Sequence, residues 1–215
     1  GTVTGVFLGC SYTNPTTKQK QFSQYWPAST AAGDAVAIVC DDPDTVFKAA
    51  ICSSGTTIAS GSYAMVGQNY QMLDNTGSAT TGNSANALKY SATLTTSTFA
   101  MRVVGVVPDT ASSVSATGSS SGTTITLTGS GLPSAIPVGT DVAYLASNGQ
   151  LIETGSFVAS AATAGATSVT LNAAIAVPGG VTAIPSGSTI VFTQYPEILV
   201  KVNLFVHGYY SSTAV

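Results

Sequence analysis

Alternation of apolar residues is the feature that most constrains the fold of this chain. The segment Ile198–Val206 (ILVKVNLFV) places an apolar side chain at every second position, with Lys201 and Asn203 on the other side. Successive side chains of a strand point to opposite faces, so this period of two predicts a β-strand with one buried face. Shorter segments repeat the pattern between turns, and none of them shows the period of an amphipathic helix. An all-β fold is therefore predicted.

The stretch Phe22–Lys48 contains the only Trp, a Pro turn and the densest acidic cluster of the chain. Pro27 has no N–H to donate and pushes Trp26 toward extended geometry, which indicates that a strand ends there. After a turn, Ala35–Cys40 (AVAIVC) carries apolar residues on both faces. Such a run, bounded by turns, predicts a strand that is buried on both sides.

Further strands are predicted on both sides of this stretch. Thr2–Tyr12 and Lys18–Tyr25 are separated by a turn at residues 14–17, so the two are expected to pair as a hairpin. Thr45–Cys52 and Met101–Val107 also alternate and predict strands. Between them, Asp74–Ala85 (DNTGSATTGNSA) is polar and rich in Gly, which predicts a surface loop.

An internal repeat occupies the second half of the chain. Ala135–Tyr144 (AIPVGTDVAY) recurs as Ala183–Phe192 (AIPSGSTIVF), and Gly122–Leu127 (GTTITL) recurs as Gly165–Leu171 (GATSVTL). Each unit predicts a strand, a loop, an Ile-Pro-x-Gly turn and a second strand. Two such units are expected to form a small pseudo-symmetric barrel or sandwich. The preceding segment, Thr110–Thr123 (TASSVSATGSSSGT), has the composition of a linker.

The order of these patterns predicts an insertion. A first domain, a β-barrel or sandwich, would comprise residues 1–108 plus 196–215, and the repeats would form an inserted β domain at 109–195. The predicted insertion requires Met101–Val107 and Ile198–Val206 to be adjacent strands of one sheet. Insertions are tolerated where the two ends of the inserted segment lie close together.

Several of these segments resemble a family of tailed-bacteriophage head proteins, which are described as capsid decoration or cement proteins. The resemblance lies in Gly5–Thr13 (GVFLGCSYT), the Tyr-Trp-Pro turn, the Asp-Asp-Pro-Asp break and Met101–Val107 (MRVVGVV), and it covers Thr2–Asp109 and Pro196–Tyr210. It implies a virion structural protein on the outer surface of the capsid, made in the host bacterial cytoplasm. Its expected partners are the major capsid protein and further copies of itself, as a homotrimer or, next, a dimer.

The composition agrees with a protein that is packed against neighbours, because only 7% of the residues are charged. The six Lys and Arg residues are scattered and the net charge is −3, so neither a nucleic acid nor a membrane is an expected partner. Three cysteines, Cys10, Cys40 and Cys52, form no CxxC motif and predict free thiols and cytoplasmic folding. The chain starts at Gly1 and not at Met, which suggests processing or residues further upstream.

Catalytic motifs are weak, so no enzyme and no cofactor are predicted. Gly118–Gly122 (GSSSG) matches a nucleophile elbow formally, but that motif needs a strand before it and a helix after it. The carboxylates of Asp41, Asp42 and Asp44 suit either a Ca²⁺ ion or a turn, and the turn is favoured. Together with Asp34 they are also candidates for the acid pair of a glycosidase, although aromatic residues make up only 8% of the chain.

A few residues are candidate anchors of a core or an interface: Trp26 with its neighbours Tyr25 and Pro27, Phe47, and the single histidine His207. Trp26 is expected in the core, because a Trp buries a large area. His207 is expected to be an interfacial or capping hydrogen-bonder. The low charge and the many Ser and Thr residues also fit an alternative function, a secreted or cell-surface β-domain that binds glycans or protein partners. A hydrolase with a cryptic acidic pair is the third hypothesis.

Overall fold

A computed structural model describes residues 3–27, 30–78, 80–91, 97–176, 180–204 and 207. These residues form sixteen strands and two single 3-10 turns but no α-helix, which confirms the predicted all-β fold. The strands are β1 (Val6–Thr13), β2 (Lys20–Ser23), β3 (Val36–Cys40), β4 (Phe47–Ser54), β5 (Thr57–Ile58), β6 (Asn69–Tyr70), β7 (Met72–Leu73), β8 (Ala87–Lys89), β9 (Met101–Val106), β10 (Ser112–Ser121), β11 (Thr124–Leu127), β12 (Asp141–Leu145), β13 (Leu151–Phe157), β14 (Ser168–Thr170), β15 (Ser188–Gln194) and β16 (Glu197–Val202).

The first sheet has three strands in the order β2-β1-β3. β1 and β2 form the predicted hairpin, with Cys10 opposite Ser23 and Thr13 opposite Lys20. β3 pairs antiparallel with the other edge of β1, and the register shifts at a bulge between Phe7 and Gly9. A bulge adds one residue to one strand and bends it locally.

The second sheet has seven strands, six of them in the order β6-β9-β16-β4-β8-β7, and β5 pairs with β4. β9 and β16 are antiparallel neighbours, with Met101 opposite Val202 and Val106 opposite Ile198. The predicted adjacency of these two segments is thereby confirmed, although Phe205 and Val206 lie outside the described residues. The division into a domain 1–108 plus 196–215 and an inserted domain 109–195 stays a prediction.

The third sheet has six strands in the order β13-β12-β15-β10-β11-β14. Its two outermost strands meet where Val158, the residue after β13, bridges Leu171, the residue after β14. Backbone hydrogen bonds flank this bridge, from Ala159 N to Thr170 O (2.8 Å) and from Asn172 N to Phe157 O (2.9 Å). The sheet therefore closes on itself as a small barrel around its own apolar core.

The pairing in the barrel is symmetric between the two repeats. Ile125 lies opposite Val169 in the pair β11–β14. In the pair β12–β15, Val142 lies opposite Phe192 and Tyr144 lies opposite Ile190. Exchanging the two repeats maps the strand pair β11–β14 onto itself, and likewise the strand pair β12–β15. The repeated segments therefore occupy equivalent positions around a pseudo-twofold axis, as predicted.

The segment predicted to be a linker is instead a ten-residue strand of this barrel. β10 pairs with β11 on one edge and with β15 on the other. Val114 and Ala116 pack against the barrel core, and a Cβ at Gly118 would collide with the backbone of Thr126. The linker prediction was wrong because it weighed composition alone. Small residues are also what a closely packed strand requires.

A hydrogen-bonded junction joins the barrel to the seven-stranded sheet. Ser60 is fully buried, and its backbone N–H donates to Val138 O at 2.8 Å. Its hydroxyl donates to Gly61 O and accepts from Tyr195 N, both at 2.8 Å. Phe157 of β13 also packs in the core of the seven-stranded sheet, with its ring edge-on to that of Tyr90.

We expect Ser60→Ala to lower the free energy of unfolding by about 1–3 kcal/mol, because it leaves the buried N–H of Tyr195 without an acceptor. The control is Ser53→Ala, since the Ser53 hydroxyl makes a long, exposed bond to Thr57 O (3.4 Å). That control should change stability by less than about 0.5 kcal/mol. Urea denaturation measures both changes. Equal effects of the two substitutions would show that the hydrogen bonds of Ser60 do not stabilise the junction.

Candidate functional site

Four large apolar side chains lie exposed on one face of the three-stranded sheet. Phe22 and Val36 flank Ser11 across the strands, and Ile38 lies opposite Gly9 on the same face. Leu8 occupies the bulge of β1. The exposed fractions are 77% for Phe22, 56% for Val36, 50% for Ile38 and 58% for Leu8. We call these four residues the apolar face.

The prediction that Ala35–Cys40 is buried on both sides is wrong. Val36 and Ile38 are exposed on the apolar face, and Val39, which lies opposite Phe7, is exposed on the other face. β3 is an edge strand, and no strand of the described residues pairs with its outer edge. The two hydrophobic cores belong to the other two sheets, and no second layer formed by the described residues covers this strand. Its composition is that of a buried strand, but the described chain does not bury it.

The Trp turn lies at the surface and not in a core, so the core position predicted for Trp26 is wrong. Trp26 is 42% exposed and belongs to neither hydrophobic cluster. Its ring packs edge-on against that of Tyr12, with 5.3 Å between the ring centroids. Tyr25 is exposed to a similar extent and Pro27 is half-buried. Tyr12 thus fixes one side of the Trp26 ring and leaves the rest accessible.

A cleft of about 600 Å³ lies between this turn and the described residues of the polar loop, 77–78 and 80–84. One wall consists of Phe7 and residues 24–26, and the other of the loop. Gln24 Nε2 joins the two walls by donating to Thr81 O at 2.9 Å. The Tyr25 ring packs directly on Gly82, where an added Cβ would overlap it. We call this the aromatic cleft.

The two remaining candidate anchors, Phe47 and His207, lie outside the three-stranded sheet. Phe47 is half-buried and packs against the core of the seven-stranded sheet. His207 is fully buried, and its Nε2 lies 2.9 Å from the carbonyl oxygen of Asp41. Its backbone bridges Val3, so His207 contacts both the segment before β1 and the turn after β3.

The acidic residues after β3 form a turn. Asp42 accepts hydrogen bonds from Asp44 N at 2.9 Å and from Thr45 Oγ1 at 3.1 Å. Asp34, further upstream, accepts from the backbone N and from the hydroxyl of Thr13, at 2.9 and 2.6 Å, and these bonds lower its pKa. Both carboxylates therefore have local structural partners. Within the described ranges, no group of three or more His, Cys, Asp or Glu residues is arranged to hold a metal ion.

The Gly118–Gly122 match to a nucleophile elbow lies at the end of β10 and in the turn that follows it. The next element is the strand β11 and not a helix. The local structure thus lacks the strand-turn-helix geometry that exposes a nucleophilic serine.

A buried carboxylate that the sequence did not single out lies at the junction. Asp141, at the start of β12, is 4% exposed. Its two oxygens accept from the backbone N–H groups of Tyr63 (3.3 Å) and Val142 (3.1 Å). Burial raises its pKa to about 6, and the nearby Glu153 adds to the shift. It does not line the aromatic cleft, and the donors to its two oxygens are backbone groups at the junction.

The geometry thus defines an all-β protein of three sheets, with an apolar face exposed on one side of the first sheet and an aromatic cleft on the other side. Comparison of the chain with protein-family models, with curated proteins and with solved structures gives no match. No helix in the described part of the chain is long and apolar enough to cross a membrane.

Proposed function

We propose that this chain is a structural protein of a tailed-bacteriophage head, which binds the outer surface of the major-capsid lattice and stabilises it. The observation that carries the proposal is the exposure of the apolar face of the first sheet. Four of the sixteen large apolar side chains exposed in the described residues lie together on this face: Leu8, Phe22, Val36 and Ile38. Such a concentration of exposed apolar residues is typical of a surface that contacts another protein.

The chemistry of the surface supports burial in an assembly. Lys20 of β2 is the single charged residue on the three strands, so contact through the apolar face removes water from few charges. A protein that binds only the assembled shell stabilises it by mass action. Copies that also contact each other gain avidity, and by resemblance a homotrimer is favoured, with a dimer next.

A second candidate is a secreted or cell-surface β-domain that binds glycans or protein partners. The aromatic cleft favours this candidate, because it offers a concave site that is separate from the apolar face. Detection of this protein on intact phage heads would distinguish the first candidate function from the second.

The experiment compares heads purified with the protein and heads stripped of it. Both samples are heated while DNA release is recorded, and the outer shell is imaged by cryo-electron microscopy. We expect the stripped heads to release DNA at the lower temperature. Equal release temperatures and an outer shell without this protein would show that the proposed class is wrong.

A pair of isoleucine substitutions tests the surface itself. Ile38→Lys puts a charge on the apolar face, whereas Ile58→Lys puts the same charge on β5, where Ile58 is 60% exposed. Both proteins should fold, because neither side chain is in a core. We expect Ile38→Lys to rebind stripped heads at least tenfold more weakly than wild type, and Ile58→Lys to rebind normally. Normal rebinding by both variants would exclude the apolar face as the contact.

A further inference from the structure

The aromatic cleft has the lining of a site for an uncharged, polyhydroxylated ligand. None of the described residues that line it is charged. Phe7, Tyr25 and Trp26 supply aromatic surface, and all three are more than 40% exposed. Gln24, Ser78 and Asn83 supply amide and hydroxyl groups around them. A site without charged side chains gives nothing to compensate a phosphate or a carboxylate on the ligand.

The walls of the cleft are held in place before any ligand binds. Trp26 rests against Tyr12, and Gln24 is bonded to the opposite wall. The loop is bonded within itself, from Ser78 N to Asn83 O (2.9 Å) and from Gly82 N to Ser78 O (2.8 Å). A preformed site loses less conformational entropy on binding than one that must be ordered by its ligand.

We propose that the aromatic cleft binds a neutral oligosaccharide. A pyranose ring has an apolar C–H face, which packs on an aromatic ring, and a rim of hydroxyls, which bond to amides and other hydroxyls. The cleft presents these two kinds of surface together, in a volume of about 600 Å³, which is within the usual range of a small-ligand site. This proposal deepens the second candidate function, because it names the ligand class of the same cleft, and it does not depend on the capsid role.

The single Trp of the chain makes the test direct, because every change in Trp fluorescence arises from Trp26. Maltohexaose, cellohexaose and chitohexaose are titrated into the full chain, with saturation-transfer NMR as a second readout. We expect at least one of the three to bind saturably, with a dissociation constant on the order of 1 mM, as is typical for few contacts in an open cleft. A hyaluronan hexasaccharide, which is anionic, should bind more weakly.

Two phenylalanines of the first sheet provide matched variants. Phe7→Ala removes an aromatic wall of the cleft and should weaken binding by about tenfold. Phe22→Ala removes an exposed ring from the apolar face, on the other side of the sheet, and should bind as wild type does. Asn83→Ala is a second cleft variant, which keeps the backbone bonds of the loop and should also weaken binding.

Three results would overturn the proposal. The first is that none of the three neutral sugars binds saturably at concentrations up to 20-fold the expected dissociation constant. The second is that the Phe7, Asn83 and Phe22 variants bind the sugar equally well. The third is saturable binding of a neutral polyproline peptide with no sugar bound, which would assign the cleft to a protein ligand.

Discussion

Replacing Phe192 by alanine is expected to lower the free energy of unfolding by about 3–5 kcal/mol. Its ring is fully buried in the barrel, where β15 runs between β10 and β12. Phe192 lies opposite Val114 on one side and Val142 on the other, and both neighbours are held by their own strands. A closed barrel cannot collapse freely into the space of a missing ring, so most of the cavity should remain and its cost should be large.

The control for this substitution is Phe22→Ala, because Phe22 is 77% exposed. The same ring is lost there without a cavity, so stability should change by less than about 0.5 kcal/mol. Urea denaturation monitored by circular dichroism measures both variants. A loss below about 1 kcal/mol for Phe192→Ala would show that the barrel is not packed as described.

A strong pH dependence of stability is expected from Asp141. Its pKa in the folded protein is about 6, above the ordinary value of 3.8, because burial disfavours the charged carboxylate. The folded state therefore binds the proton more tightly than the unfolded state. The resulting stabilisation is complete below pH 3.8 and is lost as the pH rises through about 6. A shift of this size corresponds to about 3 kcal/mol.

Substitution by asparagine isolates this effect, since an amide does not titrate. Asp141→Asn should remove most of the loss of stability between pH 4 and pH 7, whatever its effect on the stability at a single pH. Asp109→Asn, at an exposed site, should keep the wild-type profile. Denaturation midpoints measured at several pH values give the comparison. A wild-type slope in Asp141→Asn would assign the pH dependence to another group.

The parts of the fold that could be predicted are those that the sequence encodes locally or by repetition. Alternation in Met101–Val107 and Ile198–Val206 was sufficient to predict two strands, and a self-contained repeat between them indicated that they pair. The repeated Ile-Pro-x-Gly turns likewise predicted equivalent strands, because similar segments adopt similar structures. In each case the signal lies in the order of residues within one short segment.

The wrong predictions concern tertiary packing, that is, which other residues pack on a segment. The sequence of a short segment does not determine this packing. The composition of Ala35–Cys40 shows that it needs cover, but not whether the same chain provides it. Thr110–Thr123 resembles a linker until its neighbours in the barrel are known. The aromatic cleft was not predictable for the same reason, since Gln24 and Thr81 meet across a separation of 57 residues.

The symmetry of the barrel has an evolutionary consequence. Each half of the barrel contributes three strands, β10–β12 or β13–β15, which are one repeat and the strand before it, and neither half closes without the other. The contacts across the pseudo-twofold axis are those that two identical chains would make with each other as a dimer. Duplication and fusion of one ancestral half would give the present arrangement, and would make closure of the barrel independent of protein concentration.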